Sequence, residues 1–486
     1  MISVAIRRRG VVLAFLLCLP FIFLFTRLPP PELAPECLSR VTVGWAHFVH
    51  VCDSYSMTQV MGDLPGYFTQ PNAWWPRPLY IVGGEAIAVV FRPAASLVRH
   101  LLIDGRISGD RNFAADLFLA RFPEYFALMV VNFAVLGATI WMAMRLIGPS
   151  AVRHSSSRPQ AENPGSIAPG SVVMDSGLAV PQTGCCRLGN LMRPISGKPE
   201  IGWRPGTTPA LAAALGTAIA TSDLVHGLFW TQHSNFLNIV VPLGCITYFV
   251  AGCRGRQMTQ TSIAVLGLGA GVAALAYAYI VIWLPLFVFG SLYRDLRMAA
   301  APAEMLRGLV RTLVPLGTAG CGPVLAWWAI NKWVMHGMIS YEIDVFRQFV
   351  WIADAWHEGR LGAALTEHWN VYARNVWSWL GWPAPVSLAG IALLLWLGRR
   401  DWRPAQALAD PILLAVAVTI VTMLIFNFLQ GYYQPRLVNG ITLALFVALA
   451  RTAQKANRAT LGAAMMLAIA AAQVVDAFLQ PAISLT

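Results

Sequence analysis

Apolar stretches long enough to cross a bilayer recur along this 486-residue chain from end to end. A helix needs roughly 20 predominantly apolar residues to traverse the hydrocarbon core, where its backbone must satisfy itself. Eleven stretches read as spans, approximately 11–26, 123–147, 207–224, 235–252, 261–275, 276–291, 309–330, 384–398, 411–429, 437–450 and 460–477. The expected fold class is all-α: a polytopic transmembrane helical bundle of about 11 spans, with interfacial helices in its outer loops. At 57% hydrophobic and only 12% charged residues, the chain is no soluble globular protein.

The charges sort by loop. With the N-terminus inside, the inside segments hold Arg7–Arg9, the 148–206 insert, Arg254 and Arg256, Arg294–Arg311, Arg399–Arg403 and Arg451–Arg458. Every one is basic, so the positive-inside rule accounts for the net charge of +12 better than nucleic-acid binding does. The outside segments are then 27–122, 225–234, 331–383 and 430–436. Arg7–Arg9 followed by Val11–Phe25, with no small-residue cleavage site, reads as a retained signal anchor. The apolar stretch Leu79–Phe91 reads as an interfacial helix, interrupted by Gly83-Gly84 and Glu85 and closed by Arg92. Making it a span would put the later basic loops outside. Residues 149–206 have the composition of a disordered cytoplasmic insertion. Seven tryptophans in 331–383 suit an interfacial layer, or a platform for sugar rings or a lipid carrier.

Three polar elements fall in the outside segments. Asp53 follows the first span; Arg77-Pro78-Leu79-Tyr80 comes later in the same loop; Gly431-Tyr432-Tyr433-Gln434-Pro435-Arg436 lies near the far end. A carboxylate serves as a general base, and an arginine meets a phosphate with two parallel hydrogen bonds. Each also has a plainer reading: Asp53 as a helix cap, Arg77 and Arg436 as arginines snorkelling to the headgroups. His226 and His233 share a short loop with Asp223 and Gln232, suited to interface contacts, a metal or a donor phosphate. Asp63, Tyr80, His226, Glu342 and Tyr433 are secondary candidates for donor or acceptor contacts, with Asp344 and Arg347 beside Glu342. Cys37 and Cys52 share the first outside loop, where they are either bridged or two separate thiols. No cysteine spacing suggests a metal site.

In layout, and in Asp53 with Arg77-Pro78-Leu79, the chain resembles the GT-C class of membrane glycosyltransferases, which includes protein mannosyltransferases and aminoarabinose transferases. The resemblance implies transfer of a sugar from a polyprenyl-phosphate donor to a glycan, lipid or protein acceptor. It implies Asp53 as base and Arg436, Arg77 and His233 at the donor phosphate, on the outer face of a bacterial inner membrane. The family's acids often come as a close pair, whereas Asp53 stands alone and Asp63 is ten residues on. That departure favours a mechanism with no metal or other cofactor. The competing classes are a transporter or flippase of lipid-linked saccharides, expected to carry charges in mid-span, and a polymerase with its arginines in a later loop.

Overall fold

Prolines and caps set the helix starts. The computed structural model describes residues 12–20, 39–43, 46–50, 52–70, 76–105, 113–147, 207–230, 233–335, 348–399, 409–431, 433 and 435–479. Helix α1 covers 12–18, followed by an antiparallel hairpin of β1 (Ser39–Val43) and β2 (Ala46–His50) paired from Ser39–His50 to Val43–Ala46. Then come α2 (Cys52–Met61), α3 (Leu64–Thr69), α4 (Pro78–Val98), α5 (Phe113–Ala120), α6 (Phe122–Ile147), α7 (Thr207–Ala220) and α8 (Asp223–Leu228). After the 3₁₀ turn Ser234–Ile239 follow α9 (Val241–Cys253), α10 (Gln260–Ala274), α11 (Trp283–Arg297) and α12 (Pro302–Trp333). The remainder is α13 (Val350–His357), α14 (Leu361–Leu380), α15 (Pro383–Gly398), α16 (Pro411–Gln430), α17 (Pro435–Val438), α18 (Gly440–Lys455) and α19 (Ala459–Leu479). Proline stands in the first turn of α4, α9, α12, α15 and α16, where its missing N–H costs nothing. Gly381 and Gly431 close α14 and α16 at φ of 70° and 76°, a region that favours glycine.

The protein is a helical membrane bundle, to which the hairpin is the one addition among the described residues. Eight helical runs there are long and apolar enough to cross a membrane, and the α14–α15 pair, bent by 76°, makes up to nine. Residues 209–220 and α10 are apolar but shorter. The insertion 149–206 lies outside the described residues.

Side-chain contacts sort the helix termini into two ends. At the first, Gln454 Nε2 donates to Ile147 O at 2.6 Å, Arg297 Nη1 to Ala409 O at 3.1 Å, and Arg294 Nη1 to Gly252 O at 3.5 Å. This end gathers Arg254, Arg294, Arg297, Arg451, Lys455 and Asp410, and is basic. At the other, Tyr125 Oη donates to Trp230 O at 3.0 Å, Thr442 Oγ1 to Leu380 O at 3.1 Å, and Trp382 Nε1 to Asp476 Oδ2 at 3.1 Å.

Helix α4 corrects one expectation. Gly83, Gly84, Glu85 and Arg92 do not break it; with a π turn at Arg99–Ile103 it runs on for 26 residues, long and apolar enough to span. Gly84 is instead where α2 docks, since a Cβ there would lie 2.8 Å from Met61 Cε. Glu85 has Arg92 two turns on, at 3.5 Å. Gly84 faces Leu128, Phe91 meets Phe126 at 6.4 Å between centroids, and Arg99 Nη1 donates to Leu119 O at 3.0 Å.

Close backbone approach holds two helix pairs. A Cβ on Gly252 would sit 2.0 Å from Phe287 O, and one on Gly290 2.0 Å from Phe249 O, so α9 and α11 meet glycine to backbone in both directions. Gly271 meets Gly320 O at 2.1 Å in the same sense between α10 and α12. Small residues at such crossings are how helices pack where lipid supplies no hydrophobic drive. Outward faces stay apolar, as on α12 at Leu306, Val310, Leu313 and Val314.

One ion cluster ties the basic end. Buried Asp410 caps α16 through Oδ1, accepting from Ile412 N at 3.0 Å and Leu413 N at 3.3 Å. Its Oδ2 meets Arg451 Nη2 at 2.8 Å and Lys455 Nζ at 3.0 Å. Burial alone would raise the Asp410 carboxyl, but Arg451 and Lys455 outweigh it and hold it below the ordinary carboxylate range. Its stabilisation is thus complete above the unfolded-state pKa and lost as pH falls through the lower folded value. Asp410→Ala removes the cap and strands Arg451, at an expected cost of about 3 kcal/mol. Asp410→Asn keeps a cap and should cost less. Thermal unfolding in detergent at neutral pH should rank them in that order.

Candidate functional site

A histidine that caps a turn has one ring nitrogen committed, and that fixes the other. His233 precedes the 3₁₀ turn, and its Nδ1 accepts the Asn235 amide at 3.0 Å. An accepting nitrogen carries no proton, so in the neutral ring the proton sits on Nε2. Nε2 lies 3.3 Å from Nη1 of Arg436, a side chain that only donates. The contact is donor against donor. On the adjoining residue, Ser234 Oγ accepts from Arg77 Nη1 at 2.8 Å. Arg77 stands at the head of α4 and Arg436 in α17, so two arginines far apart in sequence meet one turn.

Local packing holds Arg436 there. Asn238 Nδ2, from the end of the same turn, donates to Arg436 O at 2.6 Å and Leu437 O at 3.2 Å. Among the described residues no carboxylate is within ion-pair range of Arg436, and its buried Nε has no hydrogen-bond partner. A half-buried guanidinium facing another donor is costly unless an anion neutralises it. The arrangement suits an anion with several acceptor oxygens, two of which a guanidinium can meet at once, and a phosphate is such an anion.

A second polar cluster lies at the same end of the bundle. Burial, then the charge of Asp476, pushes the Asp223 carboxyl up to about 6, partly offset by a hydrogen bond from Asn439. Burial also pushes His226 down to about 4, against the pull of Asp476. Gly381 borders this cluster, since a Cβ there would lie in ordinary contact, 3.5 Å from Asp223 Oδ2. His226 therefore belongs with these carboxylates, whereas His233 belongs with the arginines. Among the described residues no group of three or more His, Cys, Asp or Glu is placed to hold a metal ion.

Comparison with protein-family models, with curated proteins and with solved structures gives no match.

The other sequence candidates fall as follows. Asp63 caps α3, its Oδ1 accepting Gly66 N at 3.1 Å. Tyr80 is buried one turn after Arg77. Tyr433 is built into an aromatic cluster: it donates to Phe428 O at 3.1 Å, contacts His368 Nδ1 at 3.0 Å and stacks on Trp379. Burial pushes its phenol up to about 12. Asp53 lies in the first turn of α2, which packs on α4; its side chain, the Cys52 side chain, Cys37 and Glu342 lie outside the described residues. Sequence reasoning missed Ser234, Asn238 and Asp476. A carboxylate in an otherwise apolar last helix was the readable signal for Asp476.

Proposed function

We propose that the chain is a GT-C-type membrane glycosyltransferase that moves a sugar from a polyprenyl-phosphate donor to an envelope glycan, lipid or protein acceptor. The observation that carries this reading is the meeting of Arg77, Ser234, His233 and Arg436 at one end of the bundle. There two guanidinium groups and an imidazole converge on one turn, where they would meet the leaving phosphate. The basic end is then cytoplasmic by the positive-inside rule, and the arginine–histidine end faces the outside of a bacterial inner membrane. Counting α1, α7, α10 and α15 as crossings, with α4 along the interface, gives eleven spans. Asp53, on the helix docked against α4, deprotonates the acceptor hydroxyl as it attacks the anomeric carbon, while the departing phosphate takes the bonding electrons and is met by the arginines. No metal or other cofactor is invoked, consistent with a lone acid.

The test is mass spectrometry of envelope glycans from cells with and without the protein. Loss of one defined sugar, with its polyprenyl-phosphate donor accumulating, is expected. An unchanged glycan profile in cells lacking the protein would overturn the reading.

A further inference from the structure

The basic end contains a cavity that the proposed transfer does not use. It has a volume of about 340 Å³ and is lined by Gly255, Ile263, Arg294, Glu304, Arg307, Gly308, Arg311 and Thr312. That volume lies within the ~300–1,000 Å³ typical of ligand clefts. One face of α12 supplies Glu304, Arg307, Gly308, Arg311 and Thr312 at helical spacing, and α10, α11 and the turn after α9 supply the other wall.

The charges within it are unequally committed. Arg294 is occupied: Nε and Nη2 each lie 2.9 Å from Oδ1 of buried Asp295, and Nη1 is 3.5 Å from Gly252 O. Arg307 makes only a 3.3 Å hydrogen bond from Nε to Ala303 O in its own helix. Among the described residues neither Arg307 nor Arg311 forms an ion pair, although Glu304 shares their face. They sit four residues apart, a spacing at which like charges repel. Gly308 keeps the floor open; a Cβ there would lie 3.0 Å from Asp295 Oδ2.

We propose that this cavity binds the phosphate of an anionic phospholipid headgroup, with Arg307 and Arg311 as its ligands. The shared chemistry is a phosphate anion, and the surroundings select the lipid. On the same helix Leu306, Val310, Leu313 and Val314 are 62%, 51%, 43% and 57% exposed, and Leu296 and Met298 of the neighbouring element are 64% and 63% exposed. A headgroup in the cavity would lay its acyl chains along these apolar flanks. Basic pockets among membrane helices on the cytoplasmic side take anionic headgroups in this way.

The test is native mass spectrometry of the detergent-purified full chain titrated with phosphatidylglycerol, with phosphatidylcholine as the neutral comparator. Wild type should retain phosphatidylglycerol preferentially. R307Q/R311Q should bind it roughly 10- to 30-fold more weakly. Arg399→Gln, a charge loss at the same end on an arginine stacked over Trp396, should leave binding unchanged. Glu304→Gln, at an exposed position, should tighten it and keeps the proposal testable if the double variant fails to fold. Equal weakening by Arg399→Gln, equal binding of the two lipids, unchanged or weaker binding in Glu304→Gln, or displacement of the lipid by millimolar inorganic phosphate would each overturn the proposal.

Discussion

An Asp53→Asn variant is expected to fold, to bind its donor and to turn over on the order of 10²–10⁴ more slowly than wild type. The asparagine is nearly isosteric but cannot take a proton, so the loss should fall on kcat and leave KM for the donor almost unchanged. Asp53 opens α2, which is anchored by the fully buried Met57 and Met61, and Met61 fills the space left by Gly84. The head of α4, where Arg77 stands, is thereby tied to the helix bearing the acid. Single-turnover transfer with a synthetic polyprenyl-phosphate sugar separates the chemical step from binding. Full turnover in a folded Asp53→Asn variant would remove Asp53 as the base.

The second large effect is expected at Arg436. Hydrogen bonds to charged groups contribute about 1.5–3 kcal/mol each, so Arg436→Ala should raise the donor KM roughly 10- to 100-fold. Arg436→Lys should recover little, because an ammonium cannot reproduce the two-pronged guanidinium geometry. The backbone of Arg436 is held by Asn238 independently of its side chain, so the turn should survive truncation. Ser234→Ala supplies a control of the opposite kind: it removes one hydrogen-bond partner of Arg77 and leaves both guanidinium groups in place. Unchanged donor affinity in Arg436→Ala would break the assignment of this cluster to the phosphate.

Hydropathy made much of the bundle legible. The spans expected at 123–147, 411–429 and 460–477 are the helices Phe122–Ile147, Pro411–Gln430 and Ala459–Leu479, because a long apolar run with a proline or cap at its head has few other solutions. The hairpin Ser39–His50 went unread, since its ten paired residues are short and flanked by a helix-rich pattern. The unbroken α4 was also missed: Gly83-Gly84 looks like a breaker locally, and only the docking of Met61 shows what the small residue is for. At the site, Arg77, His233 and Arg436 were legible one by one as polar groups beside apolar runs. Their meeting was not, because it depends on how α4, the 3₁₀ turn and α17 pack. Ser234 and Asn238 left no signal, as serine and asparagine are ordinary in turns.

The cap on the 3₁₀ turn ties proton uptake to backbone position. His233 can become an imidazolium only by placing a proton on Nδ1, the atom that accepts the Asn235 amide. Acid therefore does more than add a charge beside Arg436: it expels the amide from the ring and releases the start of the turn. That turn carries Ser234 and Asn238, which between them hold the Arg77 side chain and the Arg436 backbone. One protonation would loosen both arginines together, whereas a histidine with a spare nitrogen could titrate and leave its neighbours in place.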